Sequence, residues 1–245
     1  MPRFFVNPGN IYTDKIIITG EDFNHIKNVL RLRKGEELVI CDGAGKDFRT
    51  RLEYFDANSV VLCPIESWKT QTEPPVGITL FQGLPKSDKM DFIIQKSVEL
   101  GVNRVVPVIT ERTVVKLGNK PDIDKKVSRW QKISLEAAKQ CNRGIIPHID
   151  EPVIFKEALL KAQENDLNII PFEKENITPL RKSLIPDCRK ISFFIGPEGG
   201  FSDKEIEDAV NKNVIPVTLG PRILRTETAG IVVLSILMYE LGDLG

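Results

Sequence analysis

Ile195-Gly-Pro-Glu-Gly-Gly-Phe201 and Leu219-Gly-Pro-Arg-Ile-Leu-Arg-Thr-Glu-Thr-Ala229 decide how this chain is read. Each stretch follows a short apolar run, Ile191 to Ile195 and Val214 to Leu219, that reads as a buried strand, and each leads into a helical pattern. Open α/β sheets bind their ligands beyond strand C-termini, where both loops lie. The first loop ends in Ser202-Asp-Lys-Glu205, a capping box in which the serine hydroxyl and the glutamate satisfy backbone N–H groups reciprocally. Gly196, Gly199 and Gly200 allow positive φ and close backbone approach to a ligand. Their spacing matches neither the dinucleotide fingerprint nor the phosphate-cradling loop of nucleoside triphosphatases, so those ligands are not expected. A tight turn without a ligand explains one such loop as well as a site does, and the second loop favours a site.

Outward from these loops, strands and helices alternate. Strand Ile78 to Phe81 precedes a helix over about Asp88 to Leu100 with Gly101 as its stop. Strand Val102 to Ile109 precedes a helix over about Asp122 to Asn142, ended by Gly144. A helix near Phe155 to Glu164 and a strand Leu167 to Pro171 complete an α/β sheet, for which periodicity alone suggests doubly wound, untangled connections. The N-terminal part differs. Short β-rich runs, Lys15 to Thr19, Glu37 to Cys41, Arg49 to Tyr54 and Ser59 to Pro64, are separated by turn residues and indicate a small antiparallel barrel. Thr70-Gln-Thr-Glu-Pro-Pro75 is the best linker candidate.

Composition excludes little. Lys plus Arg and Asp plus Glu both number 34, but residues 81–146 carry 13 basic against 7 acidic side chains, a net of +6, while residues 147–245 carry 11 against 16, a net of −5. Such a basic segment is compatible with an RNA-facing surface, although charge runs usually belong to solvated helix faces. Cys41, Cys63, Cys141 and Cys188 form no C-x-x-C pair, and His25 and His148 stand alone, so neither a metal site nor a disulfide framework is expected. Ile231 to Met238, broken only by Ser235, is too short to span a bilayer and reads as a buried helix. A reduced, cytoplasmic, non-membrane protein is the expectation.

Gly196-Pro-Glu-Gly-Gly-Phe201, Leu219-Gly220 and Ile223-Leu-Arg-Thr-Glu-Thr-Ala229 together resemble the RsmE family, methyltransferases that use S-adenosylmethionine to modify uridine N3 of small-subunit ribosomal RNA. The resemblance extends to Met1-Pro-Arg-Phe-Phe5, His25, Val29-Leu-Arg-Leu-Arg-Lys-Gly35, Asp42-Gly43, Gln82-Gly-Leu-Pro-Lys86, Gln95-Lys-Ser-Val-Glu-Leu-Gly101, Glu111-Arg112 and Glu136-Ala-Ala-Lys-Gln140 with Arg143. It implies a PUA-like β-barrel for RNA over residues 1–70, a linker at 71–76 and a SPOUT-class, Rossmann-like α/β methyltransferase domain over 77–245 with a C-terminal trefoil knot. It also implies a homodimer, for which a final helix that is apolar nearly all round is an independent argument.

The resemblance places S-adenosylmethionine against Pro171, Phe172, Glu173, Ile195, Gly196, Pro197, Glu198, Gly199, Leu219, Gly220, Ile223, Leu224, Thr226, Glu227, Thr228 and Ala229, with Gly83 a weaker candidate. Uridine N3 attacks well only after losing its imide proton, so a base or an anion stabiliser is required. Arg225, a planar fork of donors, suits the second role; its alternative is a salt bridge to Glu227 or Glu198. Glu198 is a candidate base or, preferably, a ribose ligand or loop brace. Arg3, Arg31, Arg33, Lys86, Lys96 and Arg143 are the candidate RNA contacts, each with the ordinary alternative of an exposed or helix-end cation. The other readings are a SPOUT enzyme for another RNA position and a non-catalytic RNA-binding module.

Overall fold

A computed structural model describes residues 1–245, which fall into two compact units: Met1–Glu73 with Ala138–Ile146, and Pro74–Ala137 with Pro147–Gly245. The first unit is a five-stranded sheet made of β1 (Arg3–Phe5), β2 (Ile16–Thr19), β3 (Glu37–Cys41), β4 (Lys46–Phe55) and β5 (Ser59–Lys69), ordered β1-β3-β4-β5-β2, with a short helix α1 (Gly20–Asn24) after β2. Alternating apolar residues on these strands and the α1 side chain Phe23 close a core of Phe4, Ile16, Ile18, Leu38, Ile40, Leu52, Val60 and Leu62. Register shifts at Arg49/Thr50 and Leu52/Tyr54 mark irregularities that bend the long β4–β5 ribbon. The pairing is antiparallel except for β1, which lies parallel to β3. That exception is a difference from the expected all-antiparallel barrel, as is a π-helical turn over His25–Val29.

Residues 138–146 are anchored within this first unit by polar contacts. Glu73 accepts hydrogen bonds from the Gly144 and Ile145 N–H groups at 2.8 and 3.0 Å and from Arg143 Nη2 at 2.7 Å. Cys41 Sγ donates to the Gly144 carbonyl, and burial pushes its thiol up to about 12, so it is an inert structural group.

The second unit contains β6 (Gly77–Gly83), α2 (Lys89–Glu99), β7 (Arg104–Ile109), α3 (Lys120–Gln140, leaving the unit after Ala137), β8 (His148–Ile149), β9 (Val153–Ile154), α4 (Phe155–Ala162), β10 (Leu167–Pro171), β11 (Lys190–Ile195), α5 (Asp203–Val210), β12 (Ile215–Val217) and α6 (Thr226–Leu241). Its sheet is parallel throughout, ordered β12-β10-β11-β6-β7-β8, with β9 also pairing β7. Strand alternation sorts the faces. Phe81 and Phe194 stack at 4.5 Å between centroids on the side covered by Phe155, Ala158 and Leu159 of α4 and Ala209 of α5. Gln82 and Ile195 project to the other side, where Gly230 of α6 lies against them and α6 packs on α2. The C-terminal ends of β6, β10, β11 and β12 therefore adjoin one another, at the point where successive strands stop building outward past β7 and return to the other side of β6. No helix is long and apolar enough to cross a membrane.

At the opposite end of the sheet, Asp150, 7% exposed, accepts both forks of Arg104 at 2.7 Å and Lys161 Nζ at 3.3 Å. Burial pushes its carboxyl up, but Arg104 and then Lys161 more than offset this and hold it below the ordinary carboxylate value. A lowered native value means that the stabilisation is present above the unfolded value, about pH 4, and is lost as pH falls through the native one. Asp150→Asn should therefore cost about 1–3 kcal/mol at neutral pH by denaturant titration, with the deficit shrinking below about pH 4.

Candidate functional site

Close packing at glycines shapes the first loop. A Cβ on Gly83, at the end of β6, would lie 2.6 Å from Pro197 Cδ and 2.7 Å from its nitrogen, so only glycine lets the loop after β11 settle against β6. Gly83 thus supports the site by approach. Gly200 has φ +65°, and Phe201, 3% exposed, pins the end of the loop into the core beside Phe155. The capping box forms: Ser202 Oγ accepts from Glu205 N–H and Glu205 Oε2 from Ser202 N–H. The segment after β7 clamps the same loop. Arg112 Nη1 donates to the Gly199 carbonyl at 2.8 Å, Ser202 Oγ donates to Glu111 Oε2 at 2.6 Å, and the Glu111 N–H donates to Glu205 Oε1 at 2.8 Å.

The second loop is fastened to the first through Thr226, the first residue of α6. Its hydroxyl donates to the Gly196 carbonyl at 2.6 Å and accepts from the fully buried Gln82 Nε2 at 2.9 Å. Thr226→Val keeps the shape and strands both partners. It should cost about 1–3 kcal/mol of stability and loosen both loops, read as a lower midpoint in denaturant and weaker ligand binding; an unchanged midpoint would show that the hydroxyl bridge carries nothing.

Between these loops and the end of β10 lies a cavity of about 850 Å³. Of the candidate cofactor residues, Pro171, Phe172, Glu173, Ile195, Gly196, Pro197, Glu198, Gly199, Leu219, Gly220, Ile223, Leu224, Thr226 and Ala229 all line it. Glu227 and Thr228 are not in its lining: Thr226 and Ala229, one helical turn apart, share the face that meets the cavity, and the two residues between them lie around the helix from it. Lys89, Glu175, Asn176, Arg222 and Pro221 also line the cavity and were not singled out from the sequence. The backbone N–H groups of Leu219, Ile223 and Leu224 donate to nothing within the chain. Unspent donors beside apolar Ile195, Leu219, Leu224 and Phe172 suit a flat heterocycle, hydrogen-bonded at its edges and packed on its faces.

The charges at the cavity are sorted by Lys89, at the first position of α2. Its ammonium lies 3.0 Å from Glu198 Oε1 and 3.3 Å from Glu227 Oε2. Glu198 also accepts the Lys86 N–H at 3.1 Å. Burial pushes the Glu198 carboxyl up, but its own N–H, the Lys89 ammonium and the Lys86 N–H outweigh that and hold it below its ordinary value. So held, Glu198 is a weak proton acceptor, and the geometry gives it the bracing part rather than that of a base. The salt bridges of Arg225 weighed as its alternative role do not form; both carboxylates lie beside Lys89 instead. Arg225 and Arg222 line the cavity, exposed and without an ion pair.

The candidate RNA contacts divide. Arg143 is 3% exposed and paired with Glu73, while Arg3 is paired with Asp47 at 2.8 Å and donates to the Arg143 carbonyl at 2.7 Å. Both guanidiniums are engaged by partners inside the first unit, the Arg3 side chain remaining 16% exposed and that of Arg143 3%. Lys96 pairs with Glu99 one turn along α2. Arg31, at φ +52°, and Arg33 are exposed without ion pairs, and the Lys86 side chain is likewise exposed and unpaired.

The comparisons with known proteins agree with this geometry. Residues 72–238 match the family model described as an RNA methyltransferase domain, and residues 18–62 match an RNA methyltransferase PUA domain. The chain is 34% identical over 229 residues to the ribosomal RNA small subunit methyltransferase E of Bacillus subtilis, covering 91% of this chain and 89% of that protein. It is 37% identical over 238 residues to the protein of the same name from Mesomycoplasma hyopneumoniae, covering 96% and 98%. The crystal structure of ribosomal RNA small subunit methyltransferase E from Neisseria gonorrhoeae bound to S-adenosyl methionine superposes with a TM-score of 0.88 at 33% identity, covering all of both chains. A parallel α/β sheet whose strand ends line a cavity with apolar walls and free backbone donors, a separate PUA unit and relatives matched over nearly their whole length have one common explanation: this chain belongs to the ribosomal RNA small subunit methyltransferase E family.

Proposed function

We propose that the protein transfers a methyl group from S-adenosylmethionine to N3 of a uridine in small-subunit ribosomal RNA. The observation that carries this reading is the cavity itself: free backbone donors, apolar walls and two unpaired arginines, Arg222 and Arg225, meet at the strand ends. The cofactor, when bound, supplies an electrophilic methyl group. The chain's own part is positioning, which accounts for a large share of the rate in such transfers. Leu219, Ile223 and Leu224 offer N–H groups to the heterocycle, Ile195 and Phe172 pack on it, and Glu173, whose side chain forms no ion pair, is the carboxylate free to accept from ribose hydroxyls. The Arg225 fork faces the uridine oxygens and stabilises the negative charge that develops as N3 loses its proton. The proton acceptor is not among the residues held by Lys89. Calorimetry with S-adenosylmethionine and S-adenosylhomocysteine tests the cofactor assignment; absence of binding by either, with RNA present, overturns it.

The first unit, through Arg31 and Arg33, is proposed to position RNA, with Lys86 of the second unit a separate proposed RNA contact, residues 1–70 serving RNA, 71–76 joining, and 77–245 serving the methyl transfer. Support comes from the exposure of these three cations and the PUA match. RNA affinity should fall steeply with salt, with Arg31→Ala, Arg33→Ala and Lys86→Ala each reducing the slope of log affinity against log salt by about one-half to one. A slope unchanged in all three removes these residues from the interface. Dimerisation, a cytoplasmic location and threading of the C-terminal segment into a trefoil knot belong to the same reading. For the dimer, α6 leaves Ile231, Val232 and Ile236 half-buried and Tyr239 65% exposed; a monomeric mass by light scattering with full activity contradicts it.

A further inference from the structure

Lys89 lines the cavity and stands at the junction of three segments: the start of α2, the loop after β11 and the start of α6. Its two carboxylate partners differ. Glu198 is held additionally by the Lys86 N–H. Glu227 is not: its Oε2 is buried and has no aligned hydrogen-bond donor, so the nearby Lys89 charge at 3.3 Å is what compensates it. Two residues before Glu227 in the chain is Arg225, unpaired and lining the same cavity as Glu198. A half-buried carboxylate with one buried oxygen, stripped of its cation, favours another cation within reach, because an uncompensated charge at a buried oxygen is costly.

We propose that Lys89 is a positioning residue that keeps Arg225 free for substrate by occupying the two carboxylates, Glu198 and Glu227, that would otherwise capture its guanidinium. The proposal rests on Arg225 acting on the uridine anion. Neutralising Glu198 and Glu227 by any means does the work of Lys89, and this separates the idea from a plain structural bridge, which needs all three charges. The Lys89 ammonium is itself raised by its hydrogen bond to Glu198, against some desolvation and with a smaller contribution from Glu227, so it remains charged through the working range.

The test is a single-turnover series on the full-length protein with S-adenosylmethionine and small-subunit ribosomal RNA, with cofactor affinity measured by calorimetry for each variant. Lys89→Gln should slow methyl transfer about tenfold, a part of the hundredfold or more expected when the anion stabiliser is lost outright, while cofactor affinity stays within about twofold. Lys89→Arg should retain the rate. The triple variant Lys89→Gln, Glu198→Gln, Glu227→Gln should recover most of it, since glutamine at 198 still accepts from the Lys86 N–H and neither side chain then attracts Arg225. A full rate in Lys89→Gln overturns the proposal, and so does a triple variant as slow as or slower than Lys89→Gln. Loss of cofactor binding in parallel with rate identifies a structural bridge and overturns it too. Arg225→Ala is run beside them: a normal rate there refutes the underlying role of Arg225, whereas a slow Arg225→Ala with a failed rescue refutes only the part given to Lys89.

Discussion

Arg225→Ala should lower the single-turnover rate of methyl transfer on the order of a hundredfold or more, with little change in affinity for S-adenosylmethionine or RNA. That is the usual consequence of removing one charge-assisted donor from a developing anion. Arg225→Lys should be nearly as slow, because a point charge replaces a planar fork that reaches two acceptors at once. Raising the pH should partly rescue both variants. More uridine is then deprotonated before it meets the enzyme, so less help is needed in forming the anion. The structure sharpens this expectation, because Arg225 has no carboxylate partner of its own whose loss would complicate the result. Near-normal rates at neutral pH would make the arginine structural and direct the search to Arg222, the other unpaired cation in the cavity wall.

Gly83→Ala is the second large effect expected, through a different route. The added methyl carbon would meet Pro197 Cδ at 2.6 Å, Pro197 N at 2.7 Å and the Gly196 carbonyl carbon at 3.0 Å. Two of those three atoms are backbone, so relief requires moving the loop that forms one wall of the cavity. Overpacking of this kind costs about 1–3 kcal/mol. Where the displacement falls on the binding loop, affinity for S-adenosylmethionine should drop roughly tenfold for each 1.4 kcal/mol lost. Calorimetry and a denaturant titration on the same variant measure the two parts. Affinity and stability both at the native level would show that the loop adapts and that close approach at Gly83 does not shape the site. Gly220→Ala is the informative comparison: its φ is +99°, but nothing lies within 4 Å, so it carries backbone strain without collision.

Much of the second unit was legible because its strands are continuous apolar runs buried on both faces. Leu167–Pro171 is recovered at both ends, and Gly77–Gly83 and Lys190–Ile195 each extend past their apolar stretch by a residue or two. The two ligand loops were legible for the complementary reason, glycines and a capping box placed directly after such runs. Three features were not. Arg3–Phe5 is too short for alternation to register, and its parallel pairing with β3 joins residues that local patterning cannot connect. Ala138–Ile146 belongs to the first unit, although the helical pattern runs without a break from Asp122 past Ala138; what anchors it is Glu73, 70 residues away from Arg143 in sequence. The parts of the site set by isolated charges were equally hidden. Arg112 clamps a carbonyl 87 residues distant, and Lys89 reads as an ordinary first-turn lysine until Glu198 and Glu227 are seen beside it. Arg143 shows the converse: resemblance suggests an RNA contact and its position a helix-end cation, and only the fold reveals its ion pair with Glu73.

The most direct test of the account is to incubate the purified protein with methyl-labelled S-adenosylmethionine and small-subunit ribosomal RNA, both free and assembled, and to identify the labelled nucleoside by mass spectrometry. Label is expected in N3-methyluridine, accumulating on the order of a hundredfold more slowly when Arg225 is replaced by alanine. Label on a different atom or nucleoside, or none with either form of the RNA, would contradict it.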